Sequence, residues 1–196
     1  MGLSLPLKVA GITAAIVTTL LSCRPIQAVS FEEKEVDQSD FVVVAAPYRH
    51  GYNLMIVEQM PGERKCWSEN GVNPVFVDPL LLNFDFTEAC KRSVDSNGYS
   101  VRLDGQDYGM DYLVNIVESN GELKLIATHR DADKPDIEIG KTNGVGSGSL
   151  KILLNPGWRL TKRTYEGTTT EHVYLSGNSV AQNKSGQRCN VVGTAQ

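Results

Sequence analysis

Helical periodicity and catalytic signatures are missing from this 196-residue chain, and histidine is scarce. No 3.6-residue apolar pattern runs beyond two turns, which argues against a helical bundle or an α/β fold with crossover helices. There are three histidines, no HExxH and no GxSxG elbow. No CxxC and no Cys/His spacing suits zinc. GKT at 140–142 fails as a phosphate loop: position 135, where the first glycine belongs, is Pro135, and the TNGVGSGS that follows cannot open a helix. GVGSG is not GxGxxG and leads into a strand pattern, so a dinucleotide site fails too. Basic charge is also short, with 19 Lys and Arg against 23 Asp and Glu. That balance argues against nucleic acid, whose phosphates require a basic footprint.

Long apolar runs are absent except at the N-terminus. Lys8 precedes Val9 to Ser22, fourteen apolar and small residues. This is short of the roughly 18 needed to cross a bilayer core, so it reads as the h-region of a secretory signal. Two cleavage sites compete. Ile26-Gln27-Ala28 would release Val29 and a protein free of the membrane. Leu20-Leu21-Ser22-Cys23 resembles a lipobox, which would make Cys23 a lipidated first residue and tether the domain. The expected location is therefore periplasmic or extracellular, or lipid-anchored through Cys23. Removing residues 1–28 from the 196 leaves 168 and takes Lys8 and Arg24 with them, so the net charge moves from −4 to about −6. A chain of that size fits one domain with a full core.

Export places the cysteines in an oxidising setting. Cys66, Cys90 and Cys189 remain after either cut. Cys66 and Cys90, both in the dense middle of the chain, are the candidate pair; the alternative is three unpaired thiols. Closing that 25-residue loop is worth about 3 kcal/mol in the chain-entropy model. Cys189 lies in a polar tail with nothing to bury, as a free or intermolecular thiol.

Strand patterns dominate the rest. Residues 29–40, VSFEEKEVDQSD, read as an acidic linker. FVVVAA (41–46) suits a strand buried on both faces, and YNLMIVEQM (52–60) suits its hairpin partner, with Tyr48, Arg49 and His50 near the tip. LLLNFDF (80–86) reads as a strand, and TEACKR (87–92) as one or two helical turns capped by Asp85 or Thr87. In YSVRLDGQD (99–107), Tyr99, Val101 and Leu103 face one way and Ser100, Arg102 and Asp104 the other. Asn120-Gly121 joins two apolar runs as a type I′ hairpin. IEIG, SLKILL, WRLTKRTY and HVYLS follow. The expected fold is mainly β, a sandwich or irregular barrel of short antiparallel strands with one or two short helical turns. The single domain is expected over 41–176, with a polar, disordered tail over 177–196.

Candidate sites are few. His50, His129 and His172 have no spacing that selects a nucleophile; each reads as a surface or turn residue. Asp131, Asp133 and Asp136 are candidate calcium ligands, but Pro135 and Asp136 stand where an EF-hand loop needs Asp or Asn and then Gly. Arg159, Thr161 and Arg163 share a strand face with Tyr165. With Trp158, they form a candidate ligand face for an anionic envelope polysaccharide; a solvated edge that blocks strand pairing is the alternative. Trp67 beside Cys66 reads as an aromatic packed on a disulfide.

The stretches FVVVAAPY, IVEQMPGERKCWSENG, VDPLLLNFDF, RSVDSNGYSVRLDGQD, NPGWRLTKRTYEG and HVYLSGN occur in that order. Over about residues 36–176 the chain resembles the cyanobacterial family called domain of unknown function 3747. The resemblance implies an exported, envelope-associated bacterial protein with Cys66 and Cys90 as family positions, which supports pairing them; Cys189 falls outside it. The family has no assigned activity, so no catalytic residue carries over. The expected function is a non-catalytic binding or structural domain with no cofactor and no nucleic-acid partner; a cofactor-independent secreted hydrolase is the alternative.

Overall fold

The computed structural model describes residues 31–80 and 89–178. The signal segment with Cys23, most of LLLNFDF, the Asp85 and Thr87 caps, and the tail beyond 178 with Cys189 lie outside the described residues. Strands make up 58 % of the described chain, and a 3-10 turn is its one helical element. Its first half holds β1 (Phe31–Glu35), a 3-10 turn (Gln38–Asp40), β2 (Phe41–Tyr48), β3 (Gly51–Gln59), β4 (Trp67–Asn70), β5 (Phe76–Pro79) and β6 (Cys90–Ser93). The second holds β7 (Tyr99–Leu103), β8 (Gln106–Asp107), β9 (Tyr112–Ser119), β10 (Glu122–His129), β11 (Ile137–Lys141), β12 (Leu150–Lys151), β13 (Leu153–Leu154), β14 (Trp158–Tyr165), β15 (Thr168–Thr169) and β16 (Val173–Gly177).

Three curled sheets result. The first runs β1-β14-β16-β7-β8, with β15 pairing β14; the second runs β13-β11-β10-β9; the third runs β4-β5-β12-β2-β3-β6. The curled sheets form a half-barrel, as the strand pattern led us to expect. One pairing departs from the antiparallel rule: β16 lies parallel to β7, with Leu175 beside Val101.

The turns follow their sequences. Asn120 and Gly121 both have positive φ, 55° and 73°, which is the I′ geometry that joins Ser119 to Glu122 with matching twist. Two expectations fail. Cys90, Lys91 and Arg92 lie in strand β6 beside β3, because pairing Val57 with Arg92 and Gln59 with Cys90 completes the sheet edge; the helical reading weighed local propensity alone. The acidic linker is also wrong over 31–35, where FEEKE pairs with β14 from Phe31↔Tyr165 to Glu35↔Thr161. Its charges are consumed by arginines far along the chain.

Strand β2 shows why FVVVAA is apolar on both sides. Phe41, Val43 and Ala45 enter the main core with Leu54, Ile56, Leu125, Ile139, Leu160 and Leu175. Val42 and Val44 enter a second cluster with Met55, Val57, Cys66 and Val77. The two cysteines are bonded, with Cα atoms 5.8 Å apart. Cys66 immediately precedes β4 and Cys90 opens β6, the opposite edge strands of the six-stranded sheet. The crosslink therefore ties the two edges together around the second cluster. Among the described residues no helix is long and apolar enough to cross a membrane.

Candidate functional site

Cys66 is 1 % exposed and fixes the start of β4. Its backbone N–H donates to Gln59 Oε1 at 2.9 Å, while Gln59 Nε2 donates to the carbonyls of Met60 (3.0 Å) and Arg64 (3.1 Å). One amide side chain thus ties down the whole 60–65 loop. Trp67, the next residue, packs one side on the second cluster and stays partly exposed on the other. Its indole N–H donates to Glu69 Oε1 at 3.2 Å, and Lys151 Nζ meets both Glu69 oxygens at 2.8 Å. Burial pushes the Glu69 carboxyl up, but the bonds from Lys151 and Trp67 and the charge of Lys65 together hold it below the usual carboxylate range. Trp67, Ser39, Gln59, Glu63, Lys65, Ser68 and Glu69 line a groove of about 540 Å³. An aromatic wall beside hydroxyl, amide and carboxylate groups suits a polyhydroxylated ligand: the ring covers C–H faces and the polar groups meet hydroxyls. The sequence held Trp67 as disulfide packing; it has that role and lines the groove as well.

The face suggested by Arg159, Arg163, Tyr165 and Trp158 is arranged differently. Trp158 faces the opposite side of β14, is 8 % exposed and sits in the main core. Gly177 leaves it room: a Cβ there would lie 2.9 Å from the indole. Trp158 therefore cannot stack on a ligand. Arg159 donates to Glu33 and Glu35, both at 2.7 Å, and Arg163 lies 4.2 Å over the Phe31 ring and 3.9 Å from Asp107. Phe31 and Tyr165 have ring centroids 5.1 Å apart. Arg102, aligned with Ser176 and Asp107 across the sheet, joins the cluster. It lies 3.0 Å from Glu33 as an ion pair without hydrogen-bond alignment, and its Nη2 donates to the Gly105 carbonyl. Behind these charges Thr161 and Ser176 share a buried bond of 2.7 Å. The basic face is thus occupied by acids of β1, in the stretch whose composition is that of a linker.

Of the three histidines, His50 lies at the exposed β2–β3 tip, and His129 packs edge-on to Tyr112 at 4.7 Å. His172, one residue before β16, meets Ser100 Oγ through Nε2 at 2.9 Å and the Asn97 carbonyl through Nδ1 at 2.9 Å. The carbonyl can only accept, so Nδ1 carries a proton; in the neutral ring Nε2 then accepts from the serine hydroxyl. That is a nucleophile–base contact with a carbonyl in the orienting place of a carboxylate. It borders a hollow of about 300 Å³ lined by Lys91, Arg92, Ser93, Asn97, Gly98, Glu171 and His172. The N–H groups of Asn97 and Gly98 are spent on Asp95, and that of Gly109 on Asp107, so these amides do not form an oxyanion hole.

Asp131, Asp133 and Asp136 stay on an exposed loop, where Asp131 Oδ1 accepts from the Asp133 N–H at 3.1 Å. Among the described residues no group of three or more His, Cys, Asp or Glu converges to hold a metal ion.

A family model described as "Protein of unknown function (DUF3747)" matches residues 8–180, beyond both ends of the stretch that carried the resemblance. No curated protein and no solved structure matches the chain.

Proposed function

The chain belongs to that family of unknown function, and we propose that it is an exported cell-envelope domain that binds polysaccharide without catalysis. The observation that carries the binding role is the groove at Trp67, with its aromatic wall and polar rim. The Cys66–Cys90 crosslink supports export, since such bonds persist in oxidising compartments. The ligand is a hydroxyl-rich glycan rather than a strongly anionic one, because Lys151 is already bound to Glu69 and Lys65 is balanced by Glu63, which leaves the groove no net positive charge. The test is a fluorescence titration with polysaccharide fractions from the host envelope. The chain has two tryptophans and Trp158 is buried, so Trp67 supplies the signal. Saturable change in the native chain, with calorimetric binding that Trp67→Ala loses while its melt is retained, supports the reading. An unchanged spectrum with every fraction overturns it.

The Ser100–His172 contact favours a second reading, a cofactor-independent hydrolase. A fluorophosphonate that labels Ser100 in the folded chain, and fails after His172→Ala, would establish it. Labelling no greater than in heat-denatured protein would dismiss it.

A further inference from the structure

Strand β1 lies at the surface. None of its five residues is buried or packs on the main core, whereas β9, also without a buried residue, packs Tyr112, Val114 and Ile116 there; the core contact nearest β1 is Val36, just past its end. Strand β1 stays through its ladder to β14, the ion pairs of Glu33 and Glu35, and the seat of Phe31 between Tyr165 and Arg163. Without β1 the face would keep Arg102, Arg159 and Arg163 against Asp107, an excess of two positive charges. Glu33 and Glu35 cancel that excess, while Glu32 and Lys34 project to the other side. The arginines still have donors to spare. Arg102 is only 5 % exposed, yet its Nη1 has no partner, and neither does the buried Nε of Arg163. Glu33 Oε2 is likewise without a hydrogen-bond partner beside Arg102, and buried polar groups are nearly always paired, so β1 is seated on this face with incomplete pairing.

We infer that the β14 edge and its three arginines form a docking groove for an extended acidic polypeptide strand, with β1 as its resident occupant. Two requirements set the partner's chemistry. Carboxylates at alternate positions must meet the arginines. Main-chain N–H and C=O groups must complete the ladder that β14 offers along that edge, which a polysaccharide cannot do. A partner with Glu-x-Glu in extended form, and an aromatic residue two positions ahead, reproduces every contact that Phe31, Glu33 and Glu35 make. Until such a strand arrives, β1 shields an edge that would otherwise invite indiscriminate pairing. The groove uses none of the residues around Trp67.

The test uses the full chain carrying Glu33→Gln and Glu35→Gln, which weakens the resident strand, and a labelled peptide with the sequence of residues 29–37. Fluorescence anisotropy should show saturable binding, at least about tenfold tighter than to the unaltered chain, whose own β1 competes at millimolar effective concentration. A peptide with both glutamates changed to glutamine should bind at least about tenfold more weakly, and added salt should weaken binding of the acidic peptide. Equal binding of the two peptides, or none to a variant that still melts cooperatively, overturns the inference. Polygalacturonate binding the variant more tightly than the peptide overturns the polypeptide assignment. Should the variant fail to fold, hydrogen exchange on the unaltered chain decides. Amides of 31–35 should exchange at least about a hundredfold faster than those of β14 bonded to β16, and equal protection overturns the inference.

Discussion

Removing the Cys66–Cys90 crosslink tests how the six-stranded sheet keeps its curl. The bond closes a 25-residue loop and joins the edge carrying β4 to the edge carrying β6. Releasing the loop restores chain entropy to the unfolded state worth about 3 kcal/mol. For a domain of this size each kcal/mol moves the midpoint by about 2–4 °C, so Cys66→Ala/Cys90→Ala should melt about 6–12 °C lower. The single variants sharpen the test. Either one alone abolishes the crosslink, so each should fall nearly as far as the pair, and the two losses should be strongly non-additive. The assay is a circular-dichroism melt of the four proteins in oxidising buffer, repeated for the unaltered chain with a reductant. Reduction should carry the unaltered chain toward the double variant. A double variant within about 2 °C of the unaltered chain, or single losses that simply add, would refute the reasoning that the bond restrains the sheet.

Three further outcomes follow from the interior. Lys162 Nζ meets both Glu58 oxygens at 2.6 Å between two sheets, with side-chain exposures of 6 % and 16 %. Glu58→Gln should cost about 3–5 kcal/mol in a urea melt by stranding the ammonium, whereas Lys162→Met with Glu58→Leu should recover most of it. Thr142 is wholly buried; its hydroxyl accepts from the Leu123 N–H at 2.9 Å and donates to the Gly144 carbonyl at 2.6 Å. Thr142→Val should therefore cost about 1–3 kcal/mol, and protection of the Leu123 amide should drop in hydrogen exchange. Burial raises the Glu138 carboxyl, but the bonds from Lys124 and Asn155 and the nearby lysine charges outweigh it and hold it below its ordinary value. A depressed carboxyl contributes stability above its unfolded value and loses it as pH falls through the folded one. Glu138→Gln should accordingly flatten the decline of the melting midpoint below about pH 5, and an unchanged slope would remove Glu138 from the acid response.

How much of this was legible depended on whether a signal was local. The Asn120-Gly121 hairpin, the alternation of Tyr99, Val101 and Leu103, and the two-sided burial of FVVVAA each follow from short-range rules, and the structure has all three. The pairing of Cys66 with Cys90 was also within reach, from the density of the chain around them and the family resemblance. Strand β1 was hidden because FEEKE has the composition of a solvated linker. Its partners, Arg102, Arg159 and Arg163, lie some 70 to 130 positions away, and no local rule pairs them. Trp158 and Arg159 were joined in one candidate face although neighbours on a strand point to opposite sides, a rule the sequence itself supplies. The Trp67 groove gathers the 3-10 turn, the end of β3, a loop and β4, so its shape exists only in the folded chain. The same holds for Ser100 and His172, brought together by the parallel pairing of β7 with β16, a long-range contact that periodicity does not encode.

An exported, crosslinked envelope domain is tested most directly by the intact mass of the protein isolated from its native host, before and after reduction. Export predicts a chain beginning at Val29, or at Cys23 with a lipid attached, and the crosslink predicts a gain of about 2 Da on reduction as one S–S bond takes up two hydrogens. A mass that retains the residues from Met1, with no gain on reduction, would contradict both export and the bond that closes the sheet.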